Sequence, residues 1–301
     1  LYAHLQPESV YEETILMSGQ EGYKVLVLTD CDVLAQSIVN KINGFKEAGG
    51  IIVGDERLCP AIAPDILLKR YDRTKKADVD KNALLGLAAD LSKQLGGRCQ
   101  PYADSSVADV LPYRRRYGNS DYIFAINDQR EFGNYVGRHQ LVMEQGLPAR
   151  ADFTVQRPSG SVYDLLAHRE VPVTKDGNTL RFPVELEPGG GRLWLVTDNP
   201  IERVSIQAPD AAKCSEELPV QVAVTDNTGN AVSAVVPLEV RILDPDGRLS
   251  EFSGFYGAKD GKLDIPLAFA ANDVTGVWTV EATELASGMR ARHFVRLLPA
   301  G

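Results

Sequence analysis

The chain has 301 residues, 44% of them hydrophobic and 24% charged, which is enough for two or three domains that each bury a core. Lys and Arg total 32 against 41 for Asp and Glu, so the formal net charge is -9 and counterion release would not drive binding to a phosphate backbone. No apolar run approaches the ~18 residues of a membrane-spanning helix, so neither nucleic acid nor a membrane is expected as a partner.

The first residue is Leu1 rather than Met, and Leu1 to Leu5 reads as the end of a helix. The expectation is a piece of a longer polypeptide. A strand is expected over Glu8–Glu12, and Tyr23–Leu28 is an apolar run suited to a strand buried on both faces. Thr29 to Asp32 follows as a polar turn that could cap a helix over Val33–Ala48, whose apolar positions 34, 38, 42 and 45 share one face. Gly49-Gly50 would end that helix, and Ile51–Gly54 would be a second, parallel strand of a right-handed βαβ unit. Asp80–Leu95 is a further helix with Leu84, Leu87, Ala88 and Leu91 on one side. This pattern fills a first domain over 1–108.

Beyond it the sequence turns to short alternating runs broken by Gly, Asn, Asp and Pro. Tyr122–Ile126, Ala151–Gln156, Leu180–Leu186 and Arg192–Val196 make a β-sandwich over 109–203. After Asn199-Pro200, a third unit over 204–301 has the spacing of an immunoglobulin-like sandwich. There Val220–Val224 is expected to pair with the strand after the Asp226–Asn230 turn. Asp244-Pro-Asp-Gly247 and Lys259-Asp-Gly261 are further turns, and Trp194 and Trp278 are core residues.

Asp30, Asp32, Asp55 and Glu56 are the candidate site acids, because they follow two successive parallel strands at the edge where open α/β sheets bind ligands. They would share acid–base work, or else cap the helix and pair with Arg57. Phe252, Phe255 and Tyr256, around Gly254 and Gly257, form either a sugar-stacking platform or core packing. Arg114-Arg-Arg116, flanked by Tyr113 and Tyr117, is read as a solvated strand face with cross-strand ion pairs rather than an anion patch. The four histidines, His4, His139, His168 and His293, have no ligand spacing, and Cys31, Cys59, Cys99 and Cys214 contain no CxxC pair. No metal and no cofactor is expected, and the disulfide state stays open.

Tyr23-Lys-Val-Leu-Val-Leu-Thr-Asp-Cys-Asp-Val-Leu34, its helix, and Glu47-Ala-Gly-Gly-Ile-Ile-Val-Gly54 resemble the glutamine-amidotransferase-like domain of bacterial glycoside hydrolases. In family 42 beta-galactosidases that domain follows the catalytic barrel and is concerned with trimerisation. Tyr122-Ile-Phe-Ala-Ile-Asn127, Val162-Tyr-Asp-Leu-Leu166 and Leu186-Glu-Pro-Gly-Gly-Gly-Arg-Leu-Trp-Leu195 resemble the small β-sandwich that closes such enzymes. Asp244-Pro-Asp-Gly247 with Gly276-Val-Trp278 is similar to macroglobulin-type or immunoglobulin-like modules. The amidotransferase cysteine lies in a Gly-x-Cys-x-Gly elbow, which none of Cys31, Cys59 or Cys99 has; Cys31 near a helix N-terminus remains a weaker nucleophile candidate.

The resemblance implies a multidomain α/β plus all-β chain, a small flavodoxin- or amidotransferase-like parallel sheet followed by two β-sandwiches. It also implies a non-catalytic accessory region of a larger glycoside-hydrolase-like protein, since no barrel of ~250 residues is present to carry the carboxylate pair. Its expected partners are the rest of the parent polypeptide, with an N-terminal barrel, carbohydrate, and further copies of itself. The compartment stays open, with a bacterial, periplasmic or extracellular setting favoured. The rival readings are a carbohydrate-binding module proper and a hydrolase using the strand-end acids.

Overall fold

Period-3.6 apolar spacing and two short apolar runs fix the first elements. Helix α1 (Glu12–Met17) buries only Ile15. Strands β1 (Val25–Leu28) and β2 (Ile51–Gly54) pair in parallel from Val25–Ile51 to Leu28–Gly54, and β3 (Ile66–Leu67) adds to β2. Helix α2 (Gln36–Glu47) crosses between β1 and β2 and buries Ile38, Val39 and Ile42 against Leu26, Leu28 and Ile52. It ends in a Schellman turn: Gly50 N–H reaches the Phe45 carbonyl, Gly49 N–H reaches that of Lys46, and Gly49 has φ +96°. The computed structural model describes residues 1–17, 22–139 and 141–300.

Three local expectations are corrected here. Residues 8–11 form no strand, because Glu12 and Glu13 open α1 instead, where acidic side chains favour a helix N-terminus. Leu1–Leu5 is a turn closed by His4 N–H on the Leu1 carbonyl, not a helix end. Neither Asp30 nor Asp32 caps α2, which starts several residues later behind an extended Ala35 with no side-chain cap.

The chain divides into two units, one of Leu1–Pro112, Ile126–Ala151 and Glu185–Gly190, the other of Tyr113–Ala125, Asp152–Val184 and Gly191–Gly301. In the first, helix α3 (Ala77–Leu95) runs into a 3-10 turn, Gly96–Arg98. Its expected apolar face is only half-buried at Leu87, Ala88 and Leu91, and exposed at Leu84. Polar contacts anchor it instead. The buried Lys81 ammonium sits 2.7 Å from Asp109 and donates to the Asp128 carbonyl at 2.6 Å. Tyr2 and Arg130 meet the Asp128 carboxylate at 2.8 and 3.0 Å. Strand β4 (Ala103–Ser105) follows α3.

Strands β5 (Val110–Tyr117) and β6 (Ser120–Asn127) form the next hairpin, followed by the two-stranded ribbon of β7 (Arg130–Val136) and β8 (Leu141–Gly146). Then come β9 (Ala149–Val155), β10 (Ser161–Asp164), β11 (Arg169–Val171), β12 (Thr174–Asp176), β13 (Thr179–Leu186) and β14 (Gly191–Thr197). One sheet has the order β11-β10-β14-β6-β5, while β9, β13 and β12 are neighbours in another. Phe153 of β9, Phe182 of β13 and Trp194 of β14 interlock with ring centroids 5.2–6.0 Å apart, so the two sheets pack as a sandwich.

The remaining strands are β15 (Ile201–Gln207), β16 (Ala211–Lys213), β17 (Glu217–Asp226), β18 (Val235–Leu243), β19 (Gly254–Lys259), β20 (Lys262–Ala268), β21 (Gly276–Glu284) and β22 (Arg290–Leu298). They form one sheet of order β15-β17-β20-β19-β18-β21-β22-β16, folded over so that β15 also lies against β21 and β22. Alternate residues such as Val220, Val222, Val224, Leu238, Val240, Ile242, Val280 and Val295 fill its interior. Trp278 stands edge-on to Phe269 at 5.1 Å. Tyr163 and Leu195 belong to the same core, and the Ile201 N–H donates to the Tyr163 hydroxyl at 2.7 Å.

The pairing expected after Asp226–Asn230 is corrected too. β17 lies between β15 and β20, and only one bridge, Thr225–Ala231, follows the turn. The Asp226 carboxylate accepts the Thr228 and Asn230 N–H groups, which closes the turn on itself. The chain is thus mostly β, with sandwich sheets and one small parallel sheet.

Candidate functional site

Three of the four strand-end acids, Asp30, Asp32 and Asp55, meet Arg57 beyond the carboxyl ends of β1 and β2. Asp55, 6% exposed, is the pivot: one oxygen accepts the Asp30 N–H at 2.9 Å and the other the Arg57 N–H at 3.0 Å. Asp30 adopts a left-handed φ of +55°, which its own amide bond to Asp55 holds in place. The Arg57 guanidinium lies 3.1 Å from Asp30 and 3.9 Å from Asp32. Glu56 turns the other way and accepts the Arg70 N–H at 2.7 Å. The side chains therefore tie three loops together, and Asp30, Asp32 and Glu56 keep exposed carboxylates. Cys31 lies among them; burial first, then Asp55, Asp30 and Asp32, push its thiol pKa up, the opposite of an activated nucleophile.

A cleft of about 820 Å³ opens at the other end of the same strands, lined by Lys24, Phe45, Lys46, Gly50, Asp65 and Arg98 among others. Lys46 is held there by Asp65 at 3.1 Å and the Ala63 carbonyl at 2.6 Å. The strand-end rule pointed to the acidic edge, whereas this concavity lies at the amino end.

In the second unit, Phe255 and Tyr256 take different parts. Alternation on β19 sends Phe255 outward, 79% exposed, beside Glu239 of β18. Tyr256 turns inward onto the core with Phe252 and donates its hydroxyl proton to the Phe252 carbonyl at 2.7 Å. The expected aromatic platform is thus divided between one exposed ring and two packed ones.

The arginine run behaves as a strand face: Arg114 pairs with Asp121 of β6 at 2.6 Å, and Arg115 lies 4.7 Å over the Tyr113 ring. Sequence reasoning missed Arg157, which precedes Pro158-Ser-Gly160. It is buried, 2.7 Å from Asp121, and bonded to Asp198 and the Asn119 carbonyl. It missed Glu284 as well, which is fully buried and accepts the Ala286 and Ser287 N–H groups. A charged residue flanked by Pro, Ser and Gly gives no sign of burial.

Among the histidines, His4 is buried, with Nδ1 2.6 Å from Asp104, while His139 and His168 are exposed. No group of three or more metal-ligating side chains occurs among the described residues.

No family model and no curated protein sequence matches the chain. Among solved structures it is similar to a rhamnosidase from Novosphingobium sp. PP1Y, with 12% identity over 86% of this chain and 23% of that one, at TM-score 0.36. It is also similar to the apo exo-carrageenase GH42 from Bacteroides ovatus, with 12% identity over 65% of this chain and 25% of that one, at TM-score 0.35. A PKD domain of an M14-like peptidase from Thermoplasmatales archaeon SCGC AB-540-F20 shares 15% identity over 34% of this chain and 98% of its own, at TM-score 0.24. These likenesses are weak, and the chain spans about a quarter of the length of the first two.

Proposed function

We propose that this chain is a non-catalytic accessory region of a larger glycoside-hydrolase-like protein, serving as scaffold and oligomer contact for a catalytic barrel. The reading rests on the resemblance of its Tyr23–Leu34, Glu47–Gly54 and Leu186–Leu195 segments to the amidotransferase-like and closing sandwich domains of family 42 beta-galactosidases. The observation that carries it is Asp55. Both of its oxygens accept backbone N–H groups of the strand-end loops, so the best-placed carboxylate is spent on holding loops. Exposed apolar side chains on the first unit, Leu84, Leu141 and Met143, suit contact with another protein surface.

The test is an assay of the purified chain against aryl glycosides and glutamine, with light scattering for its mass. Background rates and a stable oligomer are expected; turnover above buffer overturns the proposal.

A second reading, a carbohydrate-binding module proper, is favoured by Phe255 alone. An exposed ring on a rigid strand can stack on a pyranose face. A glycan array that lights up for the wild type and not for Phe255→Ala is the expected result for that reading, and a blank array removes it.

A further inference from the structure

The geometry points to Cys31 and Cys59 as a dithiol pair that closes to a disulfide, a covalent clamp between the loops that follow β1 and β2. The two parallel strands carry the chain to the same edge. Cys31 lies three residues past Leu28 and Cys59 five past Gly54, the last pair in register. The Cys59 N–H donates to the Cys31 carbonyl at 2.8 Å. That 2.8 Å bond, added to the backbone bonds on either side of it, keeps the two Cα atoms within about 6.7 Å of each other, inside the ~4.4–6.8 Å that a disulfide spans. Both side chains are half-buried and pack against one apolar cluster, the one built by Leu26, Leu28, Ile38, Ile42 and Ile62. The Cys31 thiol donates to the Thr29 carbonyl at 3.4 Å and turns from it to meet Cys59; partial exposure leaves room for thiol–disulfide exchange.

The other two cysteines are placed elsewhere. Cys99 packs on a separate cluster with Val53, Ile66 and Leu95. Cys214 is buried in the core of the second unit, its thiol near the Asp273 carbonyl. They serve as internal controls.

The reaction balances with a disulfide oxidant such as oxidised glutathione. One protein thiolate attacks it, releases one reduced glutathione and leaves a mixed disulfide. The second protein thiolate then attacks the protein sulfur of that mixed disulfide and expels a second reduced glutathione. Two thiol protons and two electrons leave the protein, and both glutathione sulfurs are reduced. The raised pKa of Cys31 makes it a poor first attacker. The closed bond would reinforce a junction already made by Asp55 on the Asp30 amide and by Arg57 on Asp30.

The experiment equilibrates the full chain with oxidised and reduced glutathione, quenches with acid and blocks free thiols with N-ethylmaleimide. Trypsin then separates the two cysteines, since cleavage after Lys24, Lys41, Arg57 and Lys69 puts them on peptides 25–41 and 58–69. The expected product is those two peptides linked, two hydrogens lighter than their sum, with Cys99 and Cys214 fully blocked. Reducing the oxidised protein should lower its Tm by about 5–10 °C, the scale for a disulfide closing a loop of this size. Cys59→Ser should lose that shift and accept no link to peptide 25–41. Full blocking of Cys31 and Cys59 after oxidation, or glutathione adducts without the cross-link, overturns the inference. So does a cross-link that runs to Cys99 or Cys214 instead.

Discussion

The two units of this chain are held together by different physics. In the second, alternating Val, Leu and Ile side chains of β17, β18, β20, β21 and β22 meet across one apolar interior. In the first, the apolar clusters are small and α3 buries little besides Leu95 and the charged Lys81. Position there depends on side chains that clasp backbone: Asp55 on two loops, Glu56 on Arg70, and Lys81 on the Asp128 carbonyl. Apolar burial is worth roughly 25 cal/mol per Å² and has no direction, whereas each clasp contributes only ~1 kcal/mol but fixes a geometry. A unit built by the first means is stable; one built by the second is adjustable and sensitive to charge.

The largest test of that contrast removes apolar packing from the second unit. Trp278 is buried, edge-on to Phe269, and its indole N–H donates to the Val274 carbonyl at 2.9 Å. Trp278→Ala should cost about 3–5 kcal/mol, read as a lowered midpoint in urea. Next comes Arg157→Met, which breaks the comparison by attacking a buried charged clasp in the apolar unit. It strips a buried cation from Asp121, whose side chain is 2% exposed. Because Arg114 still pairs with Asp121 at 2.6 Å, the loss should fall near the lower end of the ~3–5 kcal/mol range for a broken buried pair. A loss under 1 kcal/mol would mean that solvent reaches Asp121.

The same contrast decides what could be read from sequence. The βαβ unit was legible because Ile38 and Ile42 keep helical period and Gly49-Gly50 end the helix, and the strands of the second unit because apolar alternation is clean. The β7–β8 ribbon was not. In Arg-Glu-Phe-Gly-Asn-Tyr-Val, Arg130, Phe132 and Tyr135 are half-buried between exposed neighbours, but a register shift between Phe132 and Tyr135 breaks the alternation that would mark a strand. The false strand at Glu8–Glu12 and the false pairing after Asn230 have a common cause. Helix-favouring acids at Glu12-Glu13 and a self-closing Asp226 turn act locally, below the resolution of apolar pattern. At the candidate site, parallel strands and acids could be read, and so Asp30, Asp32, Asp55 and Glu56 were found. Their direction could not, because the choice between capping α2 and clasping loops turns on where the helix begins.

A smaller effect follows from cutting one polar clasp in the first unit. Asp55→Ala leaves the Asp30 and Arg57 amides without their acceptor and should cost about 1–3 kcal/mol. Amide exchange should accelerate first at 29–32 and 55–59, while β17 to β22 keep their protection. Uniform acceleration through both units would show that the strand-end loops are coupled to the whole fold rather than local.

The smallest effect is the pH dependence, and it separates the units most directly. Asp65 is held below the usual carboxylate range by the Ile52 N–H, helped by Lys46. Asp78 is held down by the Tyr135 hydroxyl, and Asp80 by the Thr74 N–H and then the Tyr71 hydroxyl. All three lie in the first unit. A carboxyl whose folded pKa is depressed contributes stability that is present above its unfolded value, near 4, and is lost as pH falls through the folded one. Among its described residues the second unit has one such group, Asp226, lowered first by the Thr228 hydroxyl. Helices α1 to α3 all belong to the first unit, and both tryptophans, Trp194 and Trp278, to the second. Helical circular dichroism should therefore weaken below about pH 4 while tryptophan emission stays native. Asp65→Asn should be the less stable protein at pH 6, and its deficit should shrink towards pH 3. Coincident loss of both signals would mean that acid acts on a contact common to the two units, and the division between polar clasps and apolar packing would then fail as an account of this chain's stability.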